Sequence, residues 1–316
     1  MLSLLPLFTF VSIAAHGAHS LPSNTPAPAR IIYQFPNSTF IENLAVRPNG
    51  HLLLGTFSNG SLYNLNPSSP QPSPSLVAQL PGVGALVGIA EISPDVFAVG
   101  GGDLLPEGFG FIAGSMKVFT VNMNTRAVSI AARLSNTTGL NSITPLPGHP
   151  DVVLGAESKA GQILRINTRT GDVKTVISDP LLAPSANPTP VPIGVNGIKI
   201  HGGYLYFTNS GQQFFGRVKI KHSGERDGRI ERIAAVENPS VSRAFDDFDI
   251  GRGPRADAYV TLHPGAVQRI KADGTQTEFV GAGLLDEPTS LAMSRDGRRI
   301  YIVTGGGRVV EAGVPR

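Results

Sequence analysis

The sequence predicts an all-β chain folded as a six-bladed β-propeller, and three observations carry that prediction. The first is a repeat. The stretch Glu42-Asn43-Leu44-Ala45-Val46-Arg47-Pro48-Asn49-Gly50 recurs five more times in degenerate form, at intervals of 43 to 55 residues. A constant period of this size marks one supersecondary unit used repeatedly. The second is the common continuation of every copy: an apolar strand, a glycine opening a third strand, then a fourth strand. The third is a displaced strand. The last copy lacks its fourth strand, because the sequence ends at Arg316, while Arg30-Ile31-Ile32-Tyr33-Gln34-Phe35 supplies the same pattern ahead of the first copy. Pairing the two ends closes a ring and removes the open edges of a β-array. A two-sheet sandwich explains neither the period nor the displaced strand.

The elements run in order. The innermost strands start at Glu42, Gly88, Asn141, Asn196, Asp246 and Thr289. The second strands cover His51–Thr56, Val96–Gly100, Val152–Ala156, Tyr204–Thr208, Ala258–Leu262 and Arg299–Thr304. Gly60, Gly114, Gly161, Gly216, Gly265 and Gly307 open the third. The fourth cover Ser75–Leu80, Ala127–Leu134, Asp172–Ile177, Arg229–Val236 and Thr275–Val280. The 37 glycines and 26 prolines suit so many turns.

Residues 1–20 form a separate object. Leu2, Leu4, Leu5, Leu7, Phe8, Phe10, Val11 and Ile13 make an apolar run, and Ala18-His19-Ser20 offers the small residues a signal peptidase reads. The run is too short to span a bilayer and reads as a secretory signal. Residues 21–29 read as a proline-rich linker, and 30–316 as one propeller domain. The expected location is the secretory pathway. Sequons at Asn37, Asn59 and Asn136 suit it. Cysteine is absent, which a large core allows. The net charge is +3, with Lys and Arg scattered rather than clustered, so nucleic acid is not an expected partner. No other apolar run could span a membrane. Nothing in the sequence sets an oligomeric state.

The loops before each innermost strand lie at one mouth of a propeller, so the six first positions form a ring there. Glu42, Asn141, Asn196 and Asp246 are oxygen donors with two carboxylates among them, a set suited to a hard divalent cation such as calcium, or to Mg, Mn or Zn. The alternative is that they only satisfy strand ends. Two apolar loops overhang the mouth. One is Gly100-Gly101-Gly102-Asp103-Leu104-Leu105-Pro106-Glu107-Gly108-Phe109-Gly110-Phe111. The other is Thr208-Asn209-Ser210-Gly211-Gln212-Gln213-Phe214-Phe215. Phe109, Phe111, Asn209, Phe214 and Phe215 are the expected substrate contacts, since grouped exposed apolar side chains mark binding. His263 ends a second strand at the same mouth and is either a contact, an acid or base, or only a polar strand end. The Pro-rich connection through Pro184, Pro188, Pro190 and Pro192 is a lid or a spacer. No nucleophile elbow, cysteine or His-Glu-x-x-His pair is present.

The ring Glu42, Asn141, Asn196 and Asp246 on such a propeller resembles the SMP-30/gluconolactonase superfamily. There a glutamate, asparagines and an aspartate hold a divalent ion and the aspartate assists lactone hydrolysis. That resemblance implies Glu42, Asn196 and Asp246 as ligands and Asn141 as a ligand or substrate contact. A resemblance over nearly the whole mature chain carries further. Tyr33-Gln34-Phe35-Pro36-Asn37, Glu42-Asn43-Leu44-Ala45-Val46-Arg47, Gly88-Ile89-Ala90-Glu91, Gly194-Val195-Asn196-Gly197-Ile198-Lys199-Ile200 and Tyr204-Leu205-Tyr206-Phe207-Thr208-Asn209-Ser210-Gly211 look like a fungal, secreted branch of these propellers. That branch includes hetero-Diels–Alderases of tropolone–sesquiterpenoid biosynthesis, which join an o-quinone methide to a humulene-type alkene.

The leading expectation is therefore a pericyclase using the mouth as a mould for a polyketide-derived and a terpene partner. It requires no cofactor, and Asp246, Asn141 and Asn196 polarise the quinone-methide carbonyl. A metal-dependent lactonase or esterase with Asp246 activating water is the alternative. A non-catalytic propeller binding a partner at its mouth is the third reading.

Overall fold

Burial is concentrated in the inner strands of the repeats and falls away at the fourth, so the repeats stack face to face around a ring. The second strands Leu52–Thr56, Val152–Glu157 and Ala258–Leu262 are buried at every residue, whereas the fourth strands Ser75–Gln79 and Val173–Ser178 are mostly exposed or half-buried. A strand buried on both faces sits between two neighbouring sheets, and one exposed on both lies at the rim. The computed structural model describes residues 27–36, 39–106, 110–186, 192–240, 242–252, 256–281 and 283–315. The expected secretory signal, most of the linker, Asn37 and Phe109 lie outside them.

Among the described residues, six four-stranded sheets form the six blades. Blade one is β2 (Ile41–Val46), β3 (Leu52–Thr56), β4 (Ser61–Leu65) and β5 (Ser75–Gln79). Blade two is β6 (Ala85–Ser93), β7 (Val96–Gly102), β8 (Lys117–Asn122) and β9 (Val128–Arg133). Blade three is β10 (Leu140–Pro145), β11 (Val152–Glu157), β12 (Gln162–Asn167) and β13 (Val173–Ser178). Blade four is β14 (Val195–His201), β15 (Tyr204–Asn209), β16 (Phe214–Ile220) and β17 (Arg226–Ala235). Blade five is β18 (Phe245–Ile250), β19 (Ala258–Leu262), β20 (Ala266–Ile270) and β21 (Gln276–Val280). Blade six joins β22 (Pro288–Met293), β23 (Arg299–Thr304) and β24 (Arg308–Gly313) to β1 (Ala29–Gln34) at its outer edge. The predicted ring closure is present: Arg30 lies opposite Glu311 and Gln34 opposite Arg308. Apolar clusters fill the spaces between blades, such as Leu154, Phe207 and Phe214 between blades three and four.

All six innermost strands break register close to their start. The breaks fall between Ile41 and Asn43, Leu86 and Ile89, Leu140 and Ile143, Val195 and Ile198, Phe245 and Phe248, and Pro288 and Ser290. A bulge re-aims side chains, and here it separates two neighbours. Val87, Asn141, Asn196 and Asp246 line the mouth, while Gly88, Ser142, Gly197 and Asp247 come next in the bulge. At two of those positions only glycine fits. A Cβ on Gly88 would come 2.5 Å from the Ile143 nitrogen, and one on Gly197 2.4 Å from Asp247 Oδ1.

This corrects two ring positions expected from the sequence. Val87, not Gly88, holds the mouth position in blade two. Thr289 is buried and donates to the Ile41 carbonyl at 2.6 Å, stitching blade six to blade one.

Candidate active site at the propeller mouth

A cavity of about 420 Å³ opens at the mouth, a size suited to a small molecule. Its floor carries Glu42, Asn141, Asn196, Asp246 and His263. The four oxygen donors expected to converge at one end of the channel all line this one cavity. Hydroxyls at the ends of blade-four strands fix this floor. Ser210 Oγ donates to the Phe245 carbonyl at 2.7 Å and Thr208 Oγ1 to the Asp246 carbonyl at 2.5 Å. Asn196 Nδ2 donates to Ser210 Oγ at 2.9 Å, which orients its amide. Asn196 Oδ1 is then buried with no hydrogen-bond partner among the described residues. Such an orphan acceptor is costly unless a ligand meets it.

His263 Nε2 lies 3.0 Å from Asp246 Oδ2. Burial alone would lower the His263 pKa, but the Asp246 hydrogen bond and the charges of Asp246 and Glu287 outweigh it and hold it above the ordinary value. Burial raises the Asp246 carboxyl despite that same bond. Glu42 is raised well above the usual carboxylate range, first by burial and then by the charges of Asp246 and Asp247. All three groups are shifted toward their protonated forms relative to water, a pattern that clusters at functional sites. Glu42 and Asn141 make no side-chain hydrogen bond within the described residues, so both face the cavity with free polar atoms.

The donor set suits a hard cation: two carboxyls, an orphan amide oxygen and a second amide, all oxygen. An ion there would be held by Glu42, Asn196 and Asp246. Groups of three or more His, Cys, Asp or Glu arranged for a metal are absent among the described residues, so any such site depends on the asparagines.

One wall is aromatic and aliphatic: Phe40, Phe57, Val87, Leu104 and Phe111. Phe40 stacks on Phe57 at 4.8 Å between ring centroids, and Phe57 meets Phe111 edge-on at 6.4 Å. An antiparallel bridge between Leu104 and Phe111 ties the described ends of the glycine-rich loop together and presents Phe111. Phe40 and Phe57 were not expected from the sequence. The signal was available, since Phe40 just precedes β2 and Phe57 just follows β3, both at the mouth end of blade one. Ile193, from the end of the Pro-rich connection, Arg243 and Glu287 are also part of the lining.

Three expected contacts are elsewhere. Phe214 and Phe215 are buried between blades, Phe214 against Phe207 and Phe215 against Phe248. The reason is register: β16 starts at Phe214, so the aromatic pair belongs to a strand and not to the loop. Asn209 is also buried. Its Nδ2 donates to the carbonyls of Leu181 and Ala183, and its Oδ1 accepts from the Gln212 nitrogen. It pins the Pro-rich connection to blade four and does not touch the cavity. Asn59 and Asn136 are both exposed. No described helix is long and apolar enough to cross a membrane.

No family model matches the chain. Among curated proteins, the chain is 29% identical over 223 residues to a candidate hetero-Diels-Alderase of Sarocladium schorii, covering 63% of this chain and 55% of that one. It therefore spans just over half the length of that relative. It is 27% identical over 311 residues to a candidate hetero-Diels-Alderase of a Phoma species, covering 89% of this chain and 87% of that one. Among solved structures, a gluconolactonase of Xanthomonas campestris shares the fold, with 11% identity, a TM-score of 0.67, and coverage of 92% of this chain and 90% of that one. The resemblance read from the sequence, to fungal hetero-Diels–Alderases on a gluconolactonase-like propeller, is the one these comparisons return.

Proposed function

We propose that this protein is a hetero-Diels–Alderase of natural-product biosynthesis that joins a tropolone-derived o-quinone methide to a humulene-type alkene inside the mouth. The observation that carries the reading is the division of one cavity into an aromatic wall and a polar floor. The reaction forms one C–C and one C–O bond as the heterodiene and alkene π-electrons shift. It needs no nucleophile, and no atom leaves. Its barrier is dominated by bringing two partners together in one orientation, which a shaped site supplies. Phe40, Phe57, Leu104 and Phe111 take the hydrocarbon. Asn141 donates to the heterodiene carbonyl oxygen, on which negative charge grows in the transition state. Glu42, whose pKa is raised by burial, adds a second donor on the same floor when it carries its proton.

The test is to incubate the protein with a quinone-methide precursor and the alkene, then compare rate and isomer ratio with a protein-free control. Faster formation with one isomer enriched is expected. Equal rates and ratios in both reactions end the reading for these substrates.

A divalent-metal-dependent lactonase or esterase is the second reading. The orphan Asn196 Oδ1 beside two carboxyls favours it, as does the gluconolactonase named above. A bound ion would polarise a carbonyl or activate water, and His263 with Asp246 would move the proton. Chelation separates the two: hydrolysis should vanish in EDTA, whereas the cycloaddition should largely persist. Export through the secretory pathway, with glycans on Asn59 and Asn136, is part of the same proposal. A mass shift of the native protein on endoglycosidase treatment is expected.

A further inference from the structure

We infer that Arg243 is the recognition residue for the oxygen-rich partner, gripping two adjacent coplanar oxygens such as a deprotonated tropolone presents. The inference rests on the cycloaddition reading and names how one substrate is held. Arg243 lines the cavity, and its Nε is buried with no hydrogen-bond partner among the described residues. Several other part-buried arginines are answered by carboxylates: Arg47 by Asp95, Arg217 by Glu231, Arg269 by Asp257 and Arg308 by Asp286. Arg243 has no carboxylate partner among the described residues, and it is the one described arginine that faces the cavity.

The segment that carries it is fixed from both sides. The Arg243 nitrogen donates to the Ser240 carbonyl at 3.1 Å, and the Arg243 carbonyl accepts from Gln213 Nε2. The Ala244 carbonyl accepts from the His263 nitrogen at 2.9 Å. A guanidinium on a pinned backbone, with a buried unpaired N–H, is a donor held in place for an incoming acceptor. Its planar fork matches two oxygens on one plane better than a point charge does. The other basic side chain of the cavity, His263, already faces Asp246, so an anionic ligand would be drawn to Arg243.

The position also sets an orientation. Arg243 stands at the entry to blade five, while Phe57, Val87, Leu104 and Phe111 come from blades one and two. In a six-membered ring blade five faces blade two. A ligand with its oxygens on Arg243 therefore directs its carbon skeleton across the mouth toward the aromatic wall, where the alkene is held.

The test is calorimetric titration of the full protein with three probes: tropolone above its own pKa, its O-methyl ether, and benzoate. The wild type should bind tropolone more tightly than the ether. Arg243→Met should weaken tropolone by about ten- to a hundredfold, the range for a hydrogen bond to a charged group, and leave the ether unchanged. Arg243→Lys should recover only part of the loss. Equal wild-type affinity for tropolone and ether overturns the inference without needing a variant. So does tropolone binding that Arg243→Met leaves intact in a variant with wild-type melting. Benzoate, whose carboxylate also presents two coplanar oxygens to the fork, should bind and be weakened by Arg243→Met as well, and benzoate affinity that the variant leaves intact overturns the inference. A protein that binds tropolone through Arg243 yet fails to accelerate the cycloaddition keeps this site and loses the proposed function. The reverse result keeps the function and loses the site.

Discussion

Asp246 and Asp247 are neighbours on β18, and the bulge gives them opposite surroundings. Asp247 lies below the mouth and is saturated. Its Oδ2 accepts from Asn43 Nδ2 at 3.0 Å and Ser290 Oγ at 2.8 Å, and its Oδ1 from Lys199 Nζ at 3.2 Å and the Phe248 nitrogen at 2.9 Å. These donors come from blades one, six, four and five, so a single carboxylate ties four blades across the axis. Asp246 has His263 as its close side-chain partner and faces the cavity beside an orphan amide oxygen. Buried polar groups in this ring therefore divide into two kinds. A carboxylate whose acceptor sites are filled holds the structure. A floor with unfilled sites is arranged for something that arrives.

The largest test of that contrast is Asp247→Ala. It strands the Lys199 ammonium and three other donors near the axis. Breaking a buried pair in this way costs about 3–5 kcal/mol, measured by denaturant unfolding. Stability within about 0.5 kcal/mol of wild type would break the contrast, since it would mean that the axial cluster holds nothing. Phe214→Ala should cost a similar amount, about 3–5 kcal/mol, because its ring lies between blades and not in the cavity.

Phe57→Ala works on the other side of the comparison. The ring is part-buried against its neighbours and lines the cavity. If a hydrocarbon covers the rest of it, removing the ring loses about 1.5–3 kcal/mol of apolar contact in the complex. That corresponds to roughly a ten- to hundredfold fall in the second-order rate. The uncatalysed addition would then contribute more, so the isomer ratio should also relax toward the protein-free value. A Phe57→Ala protein with an unchanged rate and ratio would place the hydrocarbon elsewhere in the mouth.

The architecture was legible because it is written as a period. A repeat of about fifty residues and a strand displaced to the other end define a closed ring without knowledge of any contact. The site was legible in its polar half: Glu42, Asn141, Asn196 and Asp246 occupy one floor because equivalent positions in a ring converge. What escaped was set by one-residue shifts. Aligning copies on an apolar residue does not reveal a bulge, so Gly88 stood where Val87 belongs, and the separate role of Asp247 stayed hidden. The same kind of error placed Phe214 and Phe215 in a loop. Composition there gives an apolar pair without saying where β16 begins. Arg243 escaped for another reason: what marks it is the absence of a partner, which only the folded chain displays.

The smallest effect is expected from Asp246→Asn, and its sign is the most discriminating part of the comparison. Asn keeps the shape and can still bond His263, so stability near neutral pH should change by about 1 kcal/mol or less, the net worth of one hydrogen bond. The pH dependence should change more clearly. In the wild type, Asp246, Glu42 and His263 all have raised folded-state pKa values. A group with a raised folded pKa contributes stability below its unfolded pKa and loses it as pH rises through the folded value. The Asp246 contribution disappears in the variant. So does the part of the Glu42 and His263 shifts that comes from the Asp246 charge, and for both the lost part is an upward shift. All three changes have one sign. The stability of wild type minus variant should therefore fall as pH rises, starting near the ordinary carboxylate range of about 4 and continuing past the ordinary histidine value of about 6.5. Urea unfolding at a series of pH values measures it. A difference that stays flat, or rises with pH, would mean that Asp246 is compensated as Asp247 is, and the two neighbours would no longer differ in kind. Turnover adds the functional half. Asp246→Asn should leave most of the cycloaddition rate, because no proton moves in that reaction, whereas a lactone hydrolysis routed through Asp246 and His263 should be abolished.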